Sequence, residues 1–238
     1  MVNIDTTYQT VLALANKEQR GYITPQEFNL FAEQAQLEIL EQYFYDINQF
    51  NRLPKNNTEY SDMVSLIREK LSLFEVNNVN VGKGANAPST FPKPTDLYKV
   101  GTIKTRYGDG FKAVERVSGK ELAAMQLSPL TTPTDANPVY TTSLHSSFGE
   151  VYILAPTYAK RIMIDYVRLP HPPRWGFSIV GERAMYNPDR TNHFELHLSE
   201  SAELVYRILM LAGVTMKKPD VIQAAGALQN STIQQEKK

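Results

Sequence analysis

The segment His193-Phe194-Glu195-Leu196-His197 sets two imidazoles around a carboxylate, the side-chain types that ligate zinc. The order differs from that of a zinc protease helix, where the glutamate directly follows the first histidine and both imidazoles share one helical face. Phe194, Leu196 and Leu198 alternate with the polar residues, which reads as an extended segment with His193, Glu195 and His197 on one side. These three are weak metal candidates. No thiol and no nearby third histidine supports them, so a solvated polar face is the expected role and no metal is expected.

A second stretch, Gly21-Tyr-Ile-Thr-Pro-Gln-Glu-Phe28, has the spelling of the latter half of a calcium loop. Placing Gly21 at the invariant glycine puts Asn16, Glu18 and Arg20 at the early ligand positions and Glu27 at the last. Arg20 then sets a cation where a carboxylate should meet the ion. Thr24-Pro25-Gln26-Glu27 is instead a helix start, with Thr24 as N-cap, Pro25 in the first turn and Glu27 closing a capping box. The reading is a helix corner without calcium.

His171, between Pro170 and Pro172, is a lone acid–base residue with no nucleophile tied to it by local pattern. There is no G-x-S-x-G, phosphate loop or dinucleotide fingerprint, and Gly82-Lys-Gly84 is too short to cradle phosphate. Lys217 and Lys218 suit the end of a helix dipole. These residues point to a binding or structural protein, with no catalytic residue and no cofactor.

Composition narrows the class further. The chain has 238 residues, 42% hydrophobic and 21% charged, which fits a globular protein. Lys plus Arg and Asp plus Glu number 25 each, a balance that argues against a strongly basic nucleic-acid binder. With no cysteine, disulfides, thiolate metal sites and cysteine nucleophiles are all excluded. The N-terminus does not read as a signal peptide. The longest apolar run, Val205 to Val214, is interrupted by Arg207 and is half of the ~20 residues a membrane span needs. A soluble chain made in the cytoplasm, with no membrane partner, is the expectation.

The elements follow from periodicity. Tyr8, Val11, Leu12 and Leu14 mark a first helix. Phe28, Phe31, Ala32, Ala35, Ile39, Tyr43, Ile47 and Phe50 recur at helical spacing, and Leu37, Leu40 and Phe44 form a neighbouring stripe. A helix apolar on more than one side needs several partners. A third helix spans about Tyr60 to Phe74, and Val76 to Pro94 reads as an Asn-, Gly- and Pro-rich excursion. Leu97 to Thr105 and Lys112 to Val117 read as a hairpin, and Ser118-Gly-Lys-Glu121 opens a short helix. Val139 to Leu144, Glu150 to Ala155 and Arg161 to Leu169 read as strands, with antiparallel pairing expected from short connections. A helix starts near Ser199, and another runs from Asp220 to about Leu228.

The expected fold class is α+β: a helical core from both chain ends with an inserted antiparallel β-rich unit and long loops. The expected parts are an N-terminal helical part at 1–75, an extended loop at 76–96 and a β-rich insertion at 97–198. C-terminal helices at 199–230 complete the helical part, and 231–238 is a flexible tail.

LANKEQRGYITPQEFNLFAEQAQLEIL, from Leu14 to Leu40, resembles the opening of virion structural proteins of tailed phages, including crAss-like ones. YVRLPHPPRWGF and YNPDRTNHFELHLSESAELVYRILMLAGV resemble the matching end of those proteins. The similarity covers about half of the chain and is poor in the middle. The element order is also similar to the adaptor, or tail tubular A-type, proteins of short-tailed phages. That resemblance implies a head-to-tail connector: a homo-oligomeric ring, usually of twelve copies, bridging the portal protein to neighbouring tail or ring proteins. Localisation would be the virion's head-to-tail junction, with DNA passing through without sequence-specific binding. Phe28, Phe31, Leu37, Phe44 and Trp175 are the expected assembly-interface residues. Another ring or minor tail protein is the nearest alternative. A metal-dependent tail-associated hydrolase built on His193, Glu195 and His197 is the alternative from a different class.

Overall fold

The structure, a computed structural model, describes residues 1–16, 23–50, 63–82, 89–108, 110–145, 149–156, 161–215, 223 and 226–227. The chain divides into two compact units, Met1–Leu73 with Pro170–Lys238, and Phe74–Leu169.

In the first unit, α1 (Ile4–Asn16), α2 (Pro25–Phe50), α3 (Met63–Ser72) and α5 (Ser201–Thr215) pack together. Asn3 Oδ1 caps α1 by accepting from the Asp5 and Thr6 amides. Thr24 and Glu27 cap α2 reciprocally: Glu27 Oε2 accepts from the Thr24 amide at 2.9 Å, and Thr24 Oγ1 accepts from the Glu27 amide at 3.3 Å. Those hydrogen bonds hold the Glu27 carboxyl below its ordinary pKa. The buried face of α2 carries Phe28, Ala32, Ala35, Ile39, Leu40 and Tyr43. It meets α5, whose inner face is Leu204, Val205, Ile208, Leu209 and Ala212.

Charges also lie within this helical interface. Arg207 is 5% exposed, and its guanidinium donates to Glu203 Oε1 on its own helix and to Gln42 Oε1 on α2, with Glu38 at 3.7 Å. Glu200, 3% exposed, pairs with Lys70 of α3 at 2.5 Å and accepts from the Ser199 hydroxyl. Desolvated ions remain tolerable only when so satisfied. Arg207→Ala is therefore expected to lower unfolding free energy by about 3 kcal/mol, because it removes the charge partner of the half-buried Glu203 and empties the site of the buried guanidinium. Urea titration should show Arg207→Met combined with Glu203→Leu recovering most of that loss, since the apolar pair removes both buried ends of the ion pair and the remaining Glu38 is a third exposed.

The second unit is a curled seven-stranded sheet. Its strands are β1 (Glu75–Gly82), β2 (Thr90–Pro92), β3 (Leu97–Tyr107), β4 (Gly110–Arg116), β5 (Val139–His145), β6 (Gly149–Ala155) and β7 (Arg161–Arg168), in the order β1-β7-β3-β4-β5-β6-β2. The edge strands β1 and β2 approach each other, so the curl almost closes on itself. One apolar interior results, to which every strand contributes. Val81, Phe91, Ile103, Val114, Tyr140, Leu154 and Ile164 represent the seven in chain order. Helix α4 (Gly119–Leu127) joins β4 to β5, and those two strands run parallel. Its capping box between Ser118 and Glu121 is formed, and it buries Leu122 against Val117, Val139 and Ala155.

Tyr152 is buried in that interior with its hydroxyl lacking a hydrogen-bond partner among the described residues. Burial, and then the charges of Glu150 and Tyr140, push its phenol up to about 12, with Arg116 opposing. An unfolded tyrosine titrates near 10, so folding favours the protonated form. That contribution is complete below about pH 10 and is lost as pH rises through about 12. Tyr152→Phe should leave stability at pH 7 unchanged or raise it by about 1 kcal/mol. It should also reduce the alkaline loss of stability between pH 10 and 12, measured by denaturant unfolding across that range.

The structure corrects the expected fold class. The protein is mixed α/β and strand-rich, built on a large curled sheet with five helices among the described residues, and is not dominated by a helical core. The range 76–96, expected as an extended loop, carries most of β1 and all of β2. Asn78 sits at φ 58 within a register shift between Val76 and Val79, which breaks the alternation that would have exposed the strand in the sequence. Wholly antiparallel pairing fails at β4–β5 because α4 and the residues after it supply a crossover. The range 97–198 is not one β-rich insertion either, because the second unit ends at Leu169 and the residues from Pro170 belong with the helices. Residues 231–238 and most of the helix expected at Asp220–Leu228 lie outside the described residues.

Candidate functional site

Within the first unit the returning chain is fastened to the N-terminal helices at Trp175, which is 3% exposed. Its indole Nε1 donates to Asp5 Oδ1 at 2.9 Å, and its amide donates to Asn29 Oδ1 at 2.7 Å. The ring lies 4.7 Å from Tyr8, which in turn lies 4.5 Å from Phe28, and it stacks on Phe177 at 6.0 Å. Pro170, Pro172 and Pro173 hold the preceding segment extended, so the tryptophan is delivered in one orientation. Gly176 follows because no side chain fits: a Cβ there would stand 2.6 Å from the Arg190 carbonyl.

Gln36, 1% exposed on α2, makes the second fastening. Its amide donates to the His171 carbonyl at 2.9 Å, and its Oε1 accepts from the Glu195 amide at 3.1 Å. Glu195 closes the loop by accepting from the His171 amide and meeting His171 Nδ1 at 2.9 Å.

His193, Glu195 and His197 therefore serve three separate structural tasks. His193 Nδ1 accepts from the Ile4 amide at the start of α1, and His197 Nδ1 accepts from the Ser199 amide at the turn that leads into α5. Phe194 and Leu196, both 0% exposed, anchor the segment in the core, and Phe194 bridges to Val2. Leu198, grouped with them by alternation, is 64% exposed because the chain has already turned into a 3-10 turn at Leu198–Glu200. Among the described residues no three His, Asp or Glu side chains are placed to hold a metal ion. In the calcium-like stretch, residues 17–22 lie outside the described residues, while Thr24 and Glu27 are occupied in the helix cap.

The expected assembly residues separate into two groups. Phe28 and Trp175 are buried in their own unit, so they do not form part of its surface; their aromatic character serves the joint described above. Phe31, Leu37 and Phe44 are half-buried on α2. More exposed apolar side chains lie elsewhere: in this unit Leu30 on α2, and Ile179, Val180 and Met185 on a hairpin formed by β8 (Phe177–Val180) and β9 (Arg183–Tyr186), while Leu127, Leu130 and Leu144 of the second unit are more exposed still. The hairpin was legible in principle from the alternation in FSIV and RAMY about Gly181-Glu182, both of which adopt positive φ as a tight two-residue turn requires. The partners Asp5, Asn29 and Gln36 carry no sequence signal, since each acts through a contact far away in the chain.

No protein-family model matches this chain, and no curated protein matches it significantly.

A histidine that caps a helix and one that binds metal respond differently to zinc. His193→Ala is expected to lower stability by about 1 kcal/mol, as loss of a cap does. Stoichiometric Zn²⁺ or Ca²⁺ should leave the melting temperature of the unmodified protein unchanged. A metal-dependent rise that vanishes in His193→Ala would assign a ligand role instead.

Proposed function

We propose that the chain is a non-enzymatic virion protein, a subunit of an oligomeric ring in the head-to-tail connector of a short-tailed phage. In that role it bridges the portal and the tail and surrounds the path of exiting DNA. The supporting observation is that residues from the two sequence stretches resembling such proteins meet in one unit. Asn29 grips Trp175, Gln36 ties His171 to Glu195, and Glu38 faces Arg207. The resemblance thus describes one physical object rather than two scattered matches.

The charge balance supports the same reading, because a channel that lets DNA pass should not hold phosphates strongly. A hydrolase would need His193, Glu195 and His197 to converge on an ion, whereas they are spent on a helix start, a loop and a turn.

Purified protein, alone and mixed with its portal, should form closed rings of one fixed copy number, twelve by resemblance, in negative-stain images and light scattering. A chain that stays monomeric in both conditions would overturn the reading. Release of sugars or peptides from host surface polymer by the monomer would replace it with the hydrolase.

A further inference from the structure

We infer that a row of outward side chains on the sheet of the second unit, Phe111, Arg106 and Arg161, binds single-stranded nucleic acid without regard to its sequence. The inference goes beyond the ring reading, because one copy of the chain carries the whole row. Arg106 of β3 and Phe111 of β4 are cross-strand partners. Thr105 pairs with Ile162 of β7, so one step further along the strands Arg106 falls opposite Arg161. Thr105 and Ile162 are both buried, which sends their neighbours Arg106 and Arg161 to the outer face, where both are exposed. Phe111 shares that face and is 56% exposed.

Like charges directly opposite each other in a sheet repel, a cost that an anion between them would remove. Among the described residues neither guanidinium has a carboxylate partner. The adjoining row is Ala113, Lys104 and Met163, and its one cation is already matched, with Lys104 meeting Asp165 at 2.5 Å. Glu115 stands a row further away on β4. Asp109, between the two strands of the hairpin, lies outside the described residues. The balanced net charge of the chain therefore conceals two neighbouring positive charges with no described counter-ion. Helix α4 packs beside Val139 and Ala155 of β5 and β6, on the far side of β4 from Arg161.

Charge complementarity calls for an anion, and Phe111 narrows its class. An acidic side chain would satisfy an arginine but offer the adjacent ring no flat partner. A nucleotide supplies both a phosphate for guanidinium and a base for the aromatic face, and every base has such a face. The row crosses three strands, about 10 Å at the usual spacing, so one short stretch of a strand can meet arginine and ring together. Paired bases are already stacked, which makes the unpaired strand the fitting ligand.

Fluorescence anisotropy with labelled oligothymidylate, across a salt series, tests this. Arg106→Gln and Arg161→Gln should each weaken binding and make the slope of log affinity against log salt shallower by about 0.7. Phe111→Ala should weaken binding at least about five-fold with the slope unchanged, and should not alter binding of a duplex of the same length. Arg183→Gln, an exposed arginine of the first unit, should change nothing. Arg161→Gln should melt no lower than the parent, since it relieves repulsion. No binding by the parent, or equal losses in Arg183→Gln, would overturn the inference. So would duplex binding as tight as single-strand binding, or polyglutamate binding that needs both arginines while oligothymidylate does not bind. A lowered melting temperature in Arg106→Gln that Asp109→Asn reproduces would also overturn it, assigning the arginine to the hairpin turn. None of these outcomes bears on whether rings form.

Discussion

The joint between the N-terminal helices and the returning chain centres on one indole. Trp175 sits 170 positions after the carboxylate that accepts its Nε1 proton, and its amide is taken by Asn29. Closing so long a loop costs entropy, although the cost grows only slowly with length. The closing contacts must offset it locally, and the Trp175 cluster combines the means to do so. A large ring is removed from water, stacked on other aromatics, and its single polar atom is paired. Once that joint is made, Phe74–Leu169 is an insertion with its own interior, free to be a sheet although the unit that carries it is mostly helical.

The same joint explains where the polar residues of the return segment go. A backbone that crosses helices without joining a sheet leaves amides and carbonyls to be satisfied one at a time. Gln36 satisfies two of them from inside the helical unit, Glu195 satisfies the His171 amide, and His193 and His197 accept from amides at element starts. A polar cluster that looks catalytic by composition is thereby accounted for by the hydrogen-bond needs of irregular backbone. Arg207 and Glu200 show the same economy inside the helix packing, where each buried ion has partners on another element or its own turn.

Local signals in the sequence were reliable where structure is made locally. The capping boxes at Thr24–Glu27 and Ser118–Glu121 and the long helix through Phe50 rest on hydrogen bonds within a few residues, and the alternation of Ile162, Ile164 and Tyr166 follows from the local pleat of one strand. What misled was structure set by distant partners. The Asn-rich run after Glu75 pairs with β7 through a bulge, with Asn78 donating to Asp165, and neither partner can be read from the other's neighbourhood. Phe28 and Trp175 illustrate the complementary error. Aromatic residues on a helix with more than one apolar side suit an intermolecular face, yet here they are consumed by a joint within the unit. In this unit exposed apolar side chains lie instead in FSIVGERAMY, whose short strands and Gly-Glu turn give a weaker signal than the usual Asn-Gly.

An exposed apolar ribbon invites indiscriminate strand pairing, so its sequence has to restrain that while keeping its side chains available. Four-residue strands present few free backbone groups, too few for a stable foreign edge. Glu182 and Arg183 put charges of both signs at the tip, where stacking of identical ribbons would bring like charges together. The rigid seat of Trp175 then matters a second time: with Phe177 stacked on the indole and Tyr186 5.8 Å from it, the root of the ribbon is held against the helical unit.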